Sequence, residues 1–188
     1  NKPVLMHTIE AFLKSDKKIK IIVVLPARQI KYWKNLCLKF NFTVPHTIVK
    51  GGKERFHSVK NGLKEIPDNS LVAIHDGVRP LVSANTIKSA FKETLRKGNA
   101  VAYSNSSNSL RIAVSDLNFA INRDFVKQIL TPQTFISKDI KKAYNKKYQP
   151  EFTDDASVYE ASGFTINLIE SNHENIKITM PSDIAIAE

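Results

Sequence analysis

Residues 71–80 read LVAIHDGVRP, an apolar tetrapeptide followed by polar and turn-forming residues. The apolar half, 71–74, is typical of a short buried strand. In an open α/β sheet, ligands bind beyond the carboxyl ends of the strands, which is where Asp76 and Arg79 stand. An Asp there can hold a metal or a hydroxyl, and an Arg can bind a phosphate through two N–H groups. The alternative is an ion pair that only shapes the turn, and this stretch alone leaves both interpretations open.

Outward from this strand, the apolar pattern alternates between helical and extended periodicity. We predict helices near residues 5–13, 30–40, 54–63, 87–95 and 154–162. We predict further strands at 19–25, 47–49, 100–103, 166–169 and 176–178, with a strand and a helix within 131–144. Pro181 is expected to open a last helix. This alternation predicts an α/β fold in which a mostly parallel sheet carries helices on both faces.

Between residues 104 and 126 the pattern changes to strict alternation in two short runs separated by a polar turn. This pattern predicts a β-hairpin inserted into the α/β body. Its apolar side would carry Leu110, Ile112, Phe119 and Ile121. Because a two-stranded hairpin is marginally stable alone, this side needs a partner. The parent domain and a second subunit are both candidates.

Composition limits the class of protein. A chain of 188 residues with 42% hydrophobic residues suits one domain with a real core. The net charge of +10 comes mostly from lysines in helix-like stretches, which favours a solvated surface that attracts small polyanions over a nucleic-acid groove. No apolar run approaches the ~20 residues that span a bilayer, so we expect no membrane partner. The single cysteine, Cys37, cannot form an internal disulfide and points to the cytoplasm.

Four further motifs have both a functional and an ordinary structural interpretation. The glycines at 51–52 lead into a helix, where the backbone can approach an anion or simply turn. Residues 131–133, TPQ, present a hydroxyl and an amide, or form a turn. Residues 153–157, TDDAS, look like a helix start with a capping residue. Lys177 stands between two isoleucines and must face water or an anion. None of the five histidines has metal-ligand spacing.

Five motifs occur in one order and together resemble a known family. They are GGxERxxSVxNGL at 51–63, HDGVRP at 75–80, TPQxF at 131–135, TDDAS at 153–157 and NIKITxPxD at 175–183. The set is similar to the 2-C-methyl-D-erythritol 4-phosphate cytidylyltransferases of non-mevalonate isoprenoid precursor synthesis. The related ribitol-5-phosphate cytidylyltransferases share much of the pattern and are the alternative, although TDDAS favours the methylerythritol enzymes.

The resemblance extends from about Lys2 to Glu188. It implies one Rossmann-like nucleotidyltransferase domain over residues 1–188, with 104–126 as a hairpin arm that forms a homodimer. The implied reaction joins CMP from CTP to a polyol phosphate and releases pyrophosphate. Mg²⁺ is the implied cofactor, and it would bridge the phosphates of CTP.

Carried over position by position, the resemblance also implies roles for single residues. Asp76 would be the catalytic residue, holding an acceptor hydroxyl or acting near the metal. Arg123 and Lys177 would hold the acceptor phosphate, with Arg123 supplied by the hairpin of the second subunit. The remaining substrate-positioning residues would be Arg79, Thr131 and Thr153, and the nucleotide-binding residues would be Gly52, Lys53, Ser58 and Gly77.

One departure from the family pattern concerns the start of the chain. Family members begin with a strand, a glycine-rich loop that carries a catalytic Arg, and a Pro-Lys pair with a catalytic Lys. This sequence begins with Asn1-Lys2-Pro3, which resembles the segment after that loop. We therefore expect the chain as given to be nearly inactive. A non-catalytic nucleotide-binding or dimerisation module is the alternative of a different class.

Overall fold

The computed structural model describes residues 2–187, which form seven α-helices and eight strands. The helices are α1 (Val4–Ser15), α2 (Ala27–Lys39), α3 (Arg55–Leu63), α4 (Ala84–Lys97), α5 (Ser137–Ala143), α6 (Asp155–Glu160) and α7 (Pro181–Ala187). The strands are β1 (Ile22–Leu25), β2 (Thr47–Lys50), β3 (Leu71–Ile74), β4 (Asn99–Asn105), β5 (Leu110–Val114), β6 (Leu117–Ile121), β7 (Lys127–Ile136) and β8 (Leu168–Glu170).

The central sheet has the strand order β3-β7-β4-β8. β4 and β8 are parallel, whereas β7 is antiparallel to both β3 and β4. β1 and β2 form a separate parallel pair. The predicted α/β fold is confirmed, but the sheet expected to be mostly parallel is mixed. The reason is that the chain returns from β4 to β7 through the β5–β6 hairpin, without the crossover that parallel neighbours require.

Helices cover both faces of the central sheet, as the sequence predicts. Successive side chains of a strand point to opposite faces, and β3 shows this directly. Val72 belongs to the hydrophobic cluster that contains Phe56 of α3. Its neighbour Ala73 packs against a second cluster, which contains Phe12 of α1 and Ile87 of α4. The polar end of β3 is therefore fixed from both sides.

The strand predicted at 176–178 is wrong. The segment is irregular, and the N–H of Ile178 donates to the carbonyl of Val78 at 2.9 Å without a ladder on either side. Two apolar residues around a lysine mimic the alternation of a strand, but here the backbone crosses the turn after β3. This crossing brings Lys177 to Asp76.

The predicted hairpin is formed by β5 and β6. Ile112 pairs with Phe119 and Val114 pairs with Leu117, which places four apolar side chains in two cross-strand pairs. Each of the four is between 50% and 64% exposed. The body of the domain therefore leaves this apolar side open to solvent.

Candidate functional site

A cavity of about 280 Å³ collects many of the residues singled out in the sequence. Five of them line it together, namely Asp76, Arg79, Thr131, Thr153 and Lys177. The other lining residues are Arg55, Ile129, Leu130, Gln133 and Asp154. The cavity lies beyond the carboxyl end of β3, the edge of the sheet at which α/β folds bind ligands.

Asp76 is the carboxylate on which the cations of the cavity converge. Its Oδ2 lies 3.1 Å from Nε of Arg79 and 3.3 Å from Nζ of Lys177. Burial raises the pKa of this carboxyl, but the charge of Lys177 and the hydrogen bond from Arg79 outweigh burial and lower the pKa below its ordinary value. Asp76 is therefore ionised at neutral pH and can accept a hydrogen bond from a substrate hydroxyl.

The side chain of Arg79 is buried and makes two hydrogen bonds within the protein. Besides the contact with Asp76, its Nη1 donates to the carbonyl of Asn175 at 2.9 Å. Asn175 is also buried, and its Nδ2 donates to the carbonyl of Thr131 at 2.8 Å. Sequence reasoning missed Asn175, because nothing in the sequence indicates that its backbone and amide join the segment around Lys177 to β7.

A neutral histidine orients the Thr131 hydroxyl. Nε2 of His75 faces the carbonyl of Arg79 at 3.1 Å, and since a carbonyl only accepts, Nε2 carries the proton. Nδ1 of His75 must then accept from Oγ1 of Thr131 at 3.0 Å. The same Oγ1 accepts the N–H of Asp76 at 3.1 Å. The hydroxyl proton of Thr131 is thus committed to the protein, and only its oxygen can serve a ligand.

Burial lowers the pKa of His75 to about 4, against an ordinary value of 6.5. The imidazole is therefore neutral in the folded protein at neutral pH, as its hydrogen-bond pattern requires.

On another wall of the cavity, Arg55 forms an ion pair that the sequence analysis did not identify. Its Nη1 and Nη2 donate to the two carboxylate oxygens of Asp155, at 3.1 Å and 2.5 Å. The hydroxyl of Tyr144 donates to Oδ1 of the same carboxylate at 2.6 Å. Both ends of the pair belong to quoted motifs, GGxER and TDDAS, but they stand 100 positions apart.

The start of α6 is fastened to β7. Asp154 caps the helix, since its Oδ1 accepts the N–H of Ser157 at 2.8 Å. Gln133 of β7 donates to Oδ2 of Asp154 at 2.8 Å and accepts the N–H of Ala156 at the same distance. The TDDAS motif is therefore a helix start, as its structural interpretation predicts, with Asp154 as the cap. This arrangement places Thr153 in the wall of the cavity.

The predicted nucleotide-binding residues do not line this cavity. The N–H of Gly52 donates to Oγ of Ser58 at 3.1 Å, and a Cβ on Gly52 would lie 2.3 Å from Cβ of His57, so a side chain has no room there. Lys53 is exposed next to them. The carbonyl of Gly77 accepts a hydrogen bond from the hydroxyl of Thr8 at 2.9 Å.

Arg123 is likewise outside the cavity of its own chain. It lies in a short 3₁₀ turn, Arg123–Phe125, that follows β6. Its side chain is exposed, and its Nη1 donates to the carbonyl of Ser107 at the base of the hairpin. The contact with an acceptor bound by a second subunit stays a prediction.

Neither a metal cluster nor a membrane-spanning helix is found in the part of the chain that the structure describes. Residues 2–187 contain no group of three histidine, cysteine or carboxylate side chains that could hold a metal ion. Asp76 is the carboxylate predicted to act near a metal, and two cations already occupy its Oδ2. Within the same range, no helix combines the length and the apolarity that crossing a bilayer requires.

Comparison with known proteins gives one consistent result. Residues 1–188 match the family model of 2-C-methyl-D-erythritol 4-phosphate cytidylyltransferase. Proteins of that name from Porphyromonas gingivalis and Bacteroides fragilis are 46% and 43% identical, over 99% of this chain and 83% and 85% of their own lengths. The crystal structure of 4-diphosphocytidyl-2C-methyl-D-erythritol synthase from Anaerococcus prevotii superposes with a TM-score of 0.86 at 27% identity, covering 99% of this chain and 84% of that one.

Proposed function

Because the chain belongs to the 2-C-methyl-D-erythritol 4-phosphate cytidylyltransferase family, we propose that the cavity around Asp76 binds the polyol-phosphate acceptor of a CMP transfer from CTP. The observation that carries this assignment is the pair of contacts from Arg79 and Lys177 to one ionised carboxylate at the end of β3. Such a site offers an acceptor for sugar hydroxyls beside donors for phosphate oxygens.

In the proposed reaction, a phosphate oxygen of the acceptor attacks the α-phosphorus of CTP. A P–O bond forms to the α-phosphorus, the bond to the β-phosphate oxygen breaks, and pyrophosphate leaves. Phosphoryl transfer of this kind depends on positioning and charge neutralisation more than on covalent catalysis by the protein. Lys177 and the partner subunit's Arg123 would hold the acceptor phosphate, Asp76 would accept from an acceptor hydroxyl, and Thr131 and Thr153 would supply further oxygens.

The nucleotide would bind next to the acceptor, along the turn at Gly52, Lys53 and Ser58 and the backbone of Gly77. In support, position 52 has no room for a Cβ, which would lie 2.3 Å from Cβ of His57, and the backbone of Gly52 is exposed. The described residues do not form a protein cage for Mg²⁺. A Mg²⁺ requirement is part of the proposal, and the phosphates of CTP would supply most of the ligands of the ion. A cytoplasmic location also remains a proposal, supported by the free thiol of Cys37.

A homodimer formed through the hairpin is part of the same proposal. The two cross-strand pairs on the apolar side of β5 and β6 are exposed in one chain and would be buried against a second copy. Arg123 follows this hairpin, so the same interface would carry it toward the partner's acceptor site.

The test compares two acceptors. The full-length protein is incubated with CTP, a divalent cation and either 2-C-methyl-D-erythritol 4-phosphate or ribitol 5-phosphate, and the diphosphate product and pyrophosphate are measured. We expect efficient transfer to the methylerythritol phosphate. A preference for ribitol 5-phosphate would support the related family, and binding of CTP without pyrophosphate release would support a non-catalytic module.

A further inference from the structure

Three cations surround Asp76, and they differ in how much of each side chain is open to the cavity. The side chain of Arg79 is only 9% exposed, and its two contacts lead to Asp76 and to the buried Asn175 carbonyl. The side chains of Arg55 and Lys177 are 38% and 48% exposed. Arg79 is therefore built into the wall of the cavity, whereas Arg55 and Lys177 remain accessible to a ligand.

The guanidinium of Arg55 is held in position by a buried carboxylate. Its partner Asp155 is completely buried, and both carboxylate oxygens accept hydrogen bonds, Oδ1 from Arg55 and Tyr144 and Oδ2 from Arg55. Burial disfavours the charge of Arg55, but the Asp155 carboxylate outweighs burial and raises the pKa of the guanidinium above its ordinary value. Arg55 is thus a permanently charged group with one immobilised edge.

A guanidinium has five N–H donors in a fixed planar fork, and Asp155 takes two of those of Arg55. The remaining donors belong to a side chain that lines the cavity with Asp76 and Lys177. The Asp155 end of the pair is buried and the Arg55 end is 38% exposed, so these donors remain open to the cavity.

We propose that Arg55 binds the anionic acceptor directly, and that Asp155 and Tyr144 are positioning residues that aim its guanidinium into the cavity. This inference rests on the proposed function, because it names a further residue that meets the same acceptor. It also separates the roles of the two arginines. Arg79 holds Asp76 and the Asn175 backbone in place, and Arg55 presents free donors to the ligand.

Arg55→Lys is the principal variant, because it keeps the positive charge and removes the planar fork. We expect the KM for the acceptor phosphate to rise about tenfold or more, as loss of a charge-assisted hydrogen bond predicts. The KM for CTP should stay within about twofold of wild type. Tyr144→Phe, which removes one contact to Asp155, should raise the acceptor KM by a smaller factor while kcat is nearly unchanged.

Arg96→Lys is the matched control. Arg96 of α4 also donates to a carboxylate through two nitrogens, with Nε 3.0 Å and Nη2 2.8 Å from the oxygens of Glu93, and its side chain is 66% exposed outside the cavity. This variant should leave both KM values as in wild type. If Arg55→Lys does not fold, Arg55→Gln combined with Asp155→Asn removes both charges together and leaves no unpaired buried carboxylate, and the same rise in acceptor KM is expected from it.

The outcomes separate this inference from the function on which it rests. Full-length wild-type protein that transfers no CMP would overturn the proposed function. Wild-type protein that transfers CMP, with an unchanged acceptor KM in the folded Arg55 variant, would overturn the role of Arg55 alone. Equal increases in the KM values for acceptor and CTP would also contradict it, because that result indicates a general distortion of the site.

Discussion

Protonation of His75 should destabilise the fold. The expected loss of unfolding free energy follows from the structure. The pKa of His75 is about 4 in the folded protein and 6.5 for an ordinary histidine. Because the folded-state pKa is the lower one, the unfolded chain takes up the proton first as the pH falls. The stabilisation is therefore complete above about pH 6.5, declines as the pH drops toward 4, and levels off below that value.

The magnitude is the difference between the two pKa values multiplied by 1.36 kcal/mol per unit, or about 3 kcal/mol at most. The structural cause is the pair of contacts that needs a neutral ring, in which Nε2–H faces the Arg79 carbonyl and Nδ1 accepts from Thr131. A proton on Nδ1 would leave the Thr131 hydroxyl without its acceptor.

The assay is urea denaturation of wild type and His75→Gln at intervals between pH 7.5 and 4. Wild type should lose up to about 3 kcal/mol more unfolding free energy than the variant across this range, since glutamine does not titrate. His173→Gln removes an exposed histidine and should follow wild type. Parallel curves for wild type and His75→Gln would refute the reasoning.

Two further predictions concern the acceptor site and the hairpin. Asp76→Asn should lower turnover about a hundredfold or more while the KM for CTP changes little, because in the proposed site the carboxylate would face the acceptor; normal turnover in the folded variant would contradict this role. Ile112→Asp together with Phe119→Lys should shift the protein from dimer to monomer in light scattering, because charges would replace one exposed cross-strand pair of the hairpin. Leu38→Lys, at an apolar residue that is 81% exposed on α2, is the control and should remain dimeric. A dimer that survives the hairpin substitutions would place the interface elsewhere.

The sequence predicts a helix or strand well where the residues of that element alone carry the pattern. The apolar run of β3 and the periodicity of α4 need no distant partner to be recognised. The direction of β7 could not be read in the same way, because an apolar strand has the same composition whether its neighbours run parallel or antiparallel. The failure at 176–178 has the same origin, since alternation of apolar and polar residues does not show whether a ladder partner exists.

The residues of the candidate site are also of two kinds, those that the sequence indicates and those that only the fold brings together. Asp76 and Arg79 are three positions apart, and their pairing was a foreseeable alternative. Lys177 is also indicated by the sequence, because a cation between two isoleucines needs water or an anion to face. The pair of Arg55 and Asp155 has no local signal, because each residue has an ordinary role in its own motif. Only the fold, in which α5 contacts both α3 and α6, brings them together. The neutrality of His75 is likewise a product of burial and of two hydrogen bonds that sequence spacing does not encode.

Subunit mixing tests the central claim, a composite acceptor site, most directly. Arg123→Ala and Lys177→Ala should each abolish CMP transfer in the full-length protein, because in the proposed site both cations would hold one phosphate dianion. In a hybrid dimer of the two variants, one site regains both cations and the other has neither. Random mixing should therefore restore about a quarter of wild-type activity. Activity that stays at the level of the separate variants, although mass spectrometry shows that subunits have exchanged, would contradict the account.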